Sequence, residues 1–235
     1  MDNDTLDFIA YSTVQPSICT SGLFRALVNR YISIGYTLTR GIPYPISAPT
    51  NILHAETEID AAIGHACDFS RRRRILNLWR ASFSFALHLA QPTPDVITWT
   101  LFVWRDIFFH ADPDRTEQHA RELLSAVTIA VEMLPTHYGC LATLHYPPTV
   151  EQVLNGNISR LYPINYFGDQ LLAQIGRTRL EQAPAWLNVD VGQGRLIVPD
   201  LNAISQGDTT ALQAANRYLV GDTLPLTTDG NGEIN

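Results

Sequence analysis

The segment from Asp112 to Pro135 constrains this chain more than any other. Asp-Pro-Asp at 112–114 supplies an N-cap acceptor, a proline whose fixed φ suits the first helical position, and an acid where the helix dipole is positive. Ala120, Leu123, Leu124, Val127, Val131 and Leu134 then keep helical spacing along one face, and Pro135 ends the run. A long helix with one apolar stripe needs a broad surface to pack on, and the flanking segments read as strands.

ASFSFALHL at 81–89 alternates apolar with small or polar residues, and VITWTLFV at 96–103 is rich in β-branched and aromatic types. QPTPD between them suits an antiparallel pair. YGCLATLHY at 138–146 reads as another strand, closed by Pro147 and Pro148 before a short helical stretch near Thr149. Trp186 to Val191 and Arg195 to Val198 form a hairpin around Gly192-Gln193-Gly194. Helices are expected over Ser21–Ile34, Glu56–Cys67, Ile164–Gly176 and Ser205–Tyr218. The proline-rich GIPYPISAPTN reads as a loop. Hairpins and helices in this order predict an α+β fold, an antiparallel sheet with helices packed on it, in a single domain over 16–222. Residues 1–15 and 223–235 are poor in large apolar side chains, which predicts a flexible N-terminal segment and a disordered tail.

Of the 235 residues, 46% are hydrophobic and 17% charged, enough apolar content to bury a full core. No apolar run approaches the ~18 residues of a membrane span. The start, MDNDTLD, is acidic where a secretory signal is basic, so a cytoplasmic protein is expected. All 16 basic residues are arginine and stand against 23 acidic ones, a net charge of −7 that disfavours phosphate contacts and leaves a basic protein partner electrostatically allowed. Cys19, Cys67 and Cys140 offer neither a disulfide framework nor a zinc knuckle and fit a reducing compartment.

The search for catalytic chemistry assigns no catalytic residue, cofactor or metal. Gly192-Gln193-Gly194 lies between strands and lacks the helix N-terminus that holds a phosphate. His110, Asp112 and Asp114 are metal-ligand types, but the aspartates serve as helix-start signals and no further ligand can be named. Cys140 and His145 fall on opposite faces of their strand, and no Gly-x-Ser-x-Gly, HExxH or GKS/T sequence occurs. Arg71 to Arg74 reads as a solvated basic patch. Two groups remain. Asp106, Asp112, Asp114, Glu117 and Glu122, with Glu56, Glu58 and Asp60 elsewhere, could face a cationic partner. Tyr162, Tyr166 and Phe167 are of the types that anchor protein interfaces.

From Thr116 onward, several strings form a set: the helix ending LPTHYG, the strand LATLHY, INYFGDQLLAQIG, the hairpin LNVDVGQGRLIVPD and the closing AANRYL. Together, over about half the chain, they resemble the immunity protein 52 family and its type VI immunity relatives, whose genes lie beside polymorphic toxins. The resemblance implies a small protein that binds and neutralises one cognate toxin, often a nuclease of restriction-endonuclease fold, with no catalytic residues of its own. It involves neither nucleic acid nor membrane, and a homodimer is left open. Two alternatives stand beside it: a metal-assisted hydrolase built on His110 and Asp112, or a structural protein of a phage-like particle.

Overall fold

The computed structural model describes residues 5–13, 21–40, 51–68, 75–81, 83–108, 112–142, 146–207 and 209–220. Five strands, β1 (Thr5–Ser12), β2 (Thr37–Thr39), β3 (Ile75–Arg80), β4 (Phe83–Thr93) and β5 (Val96–Trp104), are interleaved with helices α1 (Ser21–Ser33) and α2 (Glu56–Cys67). A 3-10 turn at Arg105–Phe108 leads to α3 (Pro113–Met133). After it come β6 (Tyr138–Ala142), α4 (Val150–Leu154), β7 (Asn165–Phe167), α5 (Asp169–Ile175) and α6 (Arg177–Glu181). The chain continues through β8 (Leu187–Val191), β9 (Gly194–Val198), α7 (Ala203–Gln206) and α8 (Thr210–Val220).

All nine strands form one antiparallel sheet in the order β2-β3-β4-β5-β1-β6-β7-β9-β8, so the fold is α+β. Strand alternation divides the core into two layers. Phe8, Phe85, Trp99, Leu101 and Leu141 belong to the cluster that takes the apolar stripes of α1 and α3. Tyr138, Cys140, Phe167 and Ile197, pointing the other way from the same sheet, pack with Leu171, Leu180 and Leu212 from the later helices. At the crossing of β1 and β6, Gly139 has no room for a side chain, because the Phe8 ring lies where a Cβ would stand.

α3 forms as its sequence predicts. Asp112 caps it by accepting from the Asp114 amide at 3.0 Å, Pro113 opens it, and its buried face runs from His119 through Val131. Elsewhere the structure corrects the sequence reading. Residues 1–15 were expected to be flexible, yet Thr5–Ser12 is the central strand of the nine. Leu6, Phe8 and Ala10 enter one layer while Tyr11 enters the other, with Ile9 packed against it. β2 and β3 are additional strands. The helix expected from Ile164 begins only at Asp169, because Asn165–Phe167 pairs between β6 and β9. The single helix expected over Ser205–Tyr218 is two, α7 and α8, separated at Gly207, whose φ of 80° closes α7. Pro92 and Thr93, read as loop, extend β4, and the connection to β5 is confined to Pro94 and Asp95. Arg71–Arg74, His110, His145, the expected tail at 223–235 and all but the last residue of GIPYPISAPTN lie outside the described residues.

Candidate partner-binding surface

The two groups of side chains singled out in the sequence meet opposite fates. The acidic group lies along the start of α3 and the turn before it. Asp106, Asp112, Asp114 and Glu117 are exposed. The turn bearing Asp106 is fastened to the helix from beneath by His119, a buried side chain whose Nδ1 lies 2.7 Å from the Ile107 carbonyl. Glu117 receives two hydrogen bonds from Arg121 one helical turn on, at 2.9 and 2.6 Å, an exposed pair of small energetic weight.

Glu122 differs from the other four. It is half-buried, ion-paired with Arg80, and accepts a hydrogen bond from the Tyr36 hydroxyl at 3.3 Å. Arg80 also donates to the Ile34 carbonyl at 3.0 Å and lies over the Tyr36 ring, 4.7 Å from its centroid. The carboxylate thus ties α3 to β3 and to the end of α1. Its charge is committed within the fold, and it is a poor choice for a partner contact.

Asp114 and Glu117 stand on a ridge, because both line two separate hollows. One, of about 450 Å³, is bounded by Arg80, Arg121, Glu122 and Ser125. The other, of about 610 Å³, has Phe108, Ala120 and Leu201 among its walls, with Asn202 and Ser205 at its polar side. Carboxylates flanked by a hollow of this size can receive guanidinium or ammonium side chains from a partner, with Phe108, Ala120 and Leu201 of the second hollow as apolar walls for their stems.

The aromatic group is not a surface. Tyr162, Tyr166 and Phe167 are 4%, 3% and 1% exposed, so the expectation that they anchor a partner is overturned. The reason is the position of β7. A packed layer covers each face of the sheet there, so neither face of β7 reaches solvent: Tyr166 enters one layer of the core, Phe167 and neighbouring Tyr162 the other. Fully buried Asn165 organises the segment, accepting from the Tyr162 amide at 2.9 Å and donating to the Tyr162 carbonyl at 2.6 Å. Tyr162 donates to the Tyr146 carbonyl at 2.6 Å and Tyr166 to the Val191 carbonyl at 3.2 Å, which satisfies both hydroxyls. Burial pushes the Tyr166 phenol up to about 12 and the Cys140 thiol still higher, so the thiol is held in its unreactive form.

Sequence reasoning missed Trp186. It is 46% exposed beside β8 and lies under the Arg121 guanidinium, 5.3 Å from its ring centroid. Its signal was present in the sequence: a tryptophan placed just before the alternating LNVDV, a pattern that leaves one side of a strand in solvent.

Among the described residues, no group of three or more His, Cys, Asp or Glu side chains is arranged to hold a metal ion. No described helix is long and apolar enough to cross a membrane. No protein-family model matches the chain, and no curated protein matches it.

Proposed function

We propose that this protein is an immunity protein: it binds and neutralises a cognate secreted toxin of the type VI or polymorphic kind, stoichiometrically and in the cytoplasm. One observation carries the reading, the ridge of Asp114 and Glu117 between two hollows at the start of α3. A nuclease that grips phosphates presents a basic cleft, and a protruding acidic ridge has the complementary shape and sign. Asp106 and Asp112, exposed on the approach to the same helix, extend the acidic field. The rigidity of α3 supports the reading as well. The helix is capped at its start and buried along its inner face, so little is lost in ordering the ridge when a partner binds. The strings that resemble the immunity protein 52 family provide the scaffold behind it.

The test is co-expression. The chain should restore growth to cells producing the toxin of a neighbouring reading frame, and the two proteins should purify as a complex of nanomolar affinity or tighter. Failure to rescue against every adjacent toxin contradicts the reading.

A further inference from the structure

The two ends of the nine-stranded sheet are finished differently. On the outer side of β2 the chain covers its own edge. Thr39 bridges to Ile52, the Arg40 amide donates to the Asn51 carbonyl at 3.0 Å, and the Leu53 amide donates to the Leu38 carbonyl at 2.9 Å. On the outer side of β8 no strand pairs among the described residues. Apolar side chains gather there, with Trp186 at 46% and Val189 at 38% exposure. An uncovered edge of this kind is a template for another strand.

We propose that the β8 edge pairs with β8 of a second copy of this chain, joining two sheets across a twofold axis. The charges along the edge select that occupant. Asp190 is bound by Arg177 at 3.1 Å and by Arg195 at 2.9 Å, and Glu181 lies 3.9 and 3.7 Å from the same two guanidiniums. Two acids and two bases cancel within one subunit. A second copy carrying −7 overall therefore meets no field of its own sign here, and a basic strand finds no surplus carboxylate to choose it.

The sequence of β8 also fits itself. Antiparallel pairing about Val189 sets Leu187 against the partner subunit's Val191, so apolar side chains continue on the face they already occupy. Asn188 falls opposite the partner subunit's Asp190, so no charge is set against its own copy. Trp186, braced by Arg121, then flanks the joint on each side. This inference goes beyond the toxin-binding reading and stands without it, because strand pairing uses the β8 backbone and none of the ridge carboxylates.

Sedimentation or light scattering on the purified chain tests it, up to about 100 µM, where even a micromolar Kd gives mostly dimer. The expected mass is twice the 26.2 kDa of one chain. Val189→Lys should return the single-chain mass with an unchanged circular-dichroism spectrum, since the side chain is exposed in the single chain. On mild oxidation Val189→Cys should become a covalent dimer, and Glu117→Cys should not. A single-chain mass for the unaltered protein overturns the proposal. So does a dimer that survives Val189→Lys, or cross-linking through position 117 as fast as through 189.

Discussion

Asp114 and Glu117 stand exposed on α3, whereas Tyr162, Tyr166 and Phe167 are closed into the core around β7. Both stretches carry residue types that protein interfaces use, and both are close to the strands of one sheet. The difference lies in what flanks each element. α3 has sheet on one side only, so its polar face stays in water. β7 has a packed layer on each face of the sheet, so nothing it carries can leave the interior. Residue type proposes an interface, and the number of covered faces decides whether it exists.

The contrast is broken most directly by truncation on each side of it. Phe167→Ala should cost about 3–5 kcal/mol in urea unfolding, because a fully buried ring packed edge-on against Tyr138 leaves a cavity behind. Glu117→Ala should fall within about 0.5 kcal/mol of the unaltered protein. Comparable costs at the two positions would contradict the assignment of one to core and the other to ridge.

Reversing the ridge charges should act mainly on binding. Asp114→Arg with Glu117→Arg is expected to weaken toxin affinity by at least about 100-fold, near 2.7 kcal/mol, while the opposed helix dipole and the lost Arg121 pair lower stability by about 1–2 kcal/mol. Glu122 sharpens the boundary between the two regions. Glu122→Ala should lower stability by about 1–2 kcal/mol by leaving Arg80 without its carboxylate, yet change toxin affinity far less than the double reversal.

How much of this was legible in the sequence follows from the same distinction. α3 could be read because its signals are local: a cap, a proline, a stripe and a stop within one segment. The antiparallel hairpins were legible for similar reasons. β1 was not, because TLDFIAYS adjoins a polar terminus and its importance comes from pairing with β5 and β6, whose partner residues are 85 or more positions further along the chain. Tyr162 to Phe167 were misjudged because no periodicity of so short a segment states whether both of its faces will be covered. Trp186 was passed over because being at the sheet edge is a property of topology. For the site, the acids were found but their roles were not: only the fold shows Glu122 serving Arg80 and Tyr36 while Asp114 and Glu117 face outward.

Acid should loosen the region around β6 and β7 through one histidine. His137 begins the turn into β6, and its carbonyl accepts from the Gly168 amide at 2.8 Å, just before α5. Burial holds its imidazole below the ordinary 6.5, and its buried Nε2 has no hydrogen-bond partner. The unfolded chain therefore takes up the proton first as pH falls. The contribution is intact above about 6.5 and is lost progressively as the pH drops toward the lowered folded value. Urea midpoints should show the unaltered protein losing stability relative to His137→Gln below that pH. A difference that stays constant from about pH 7.5 to 5 would contradict it.

A smaller gain should come from the β3–β4 turn. Ala81 is the one described non-glycine residue at positive φ, 51°, so Ala81→Gly should raise stability by about 1 kcal/mol in the same unfolding experiment.

Titrating purified toxin into the chain bears most directly on the central claim, comparing the unaltered protein with the Asp114→Arg, Glu117→Arg variant by calorimetry. The account expects one-to-one binding at nanomolar Kd or tighter, weakened at least about 100-fold by the variant, which stays folded at the temperature of the titration. Equal affinity for the two proteins would show that the α3 ridge is not where the toxin is held.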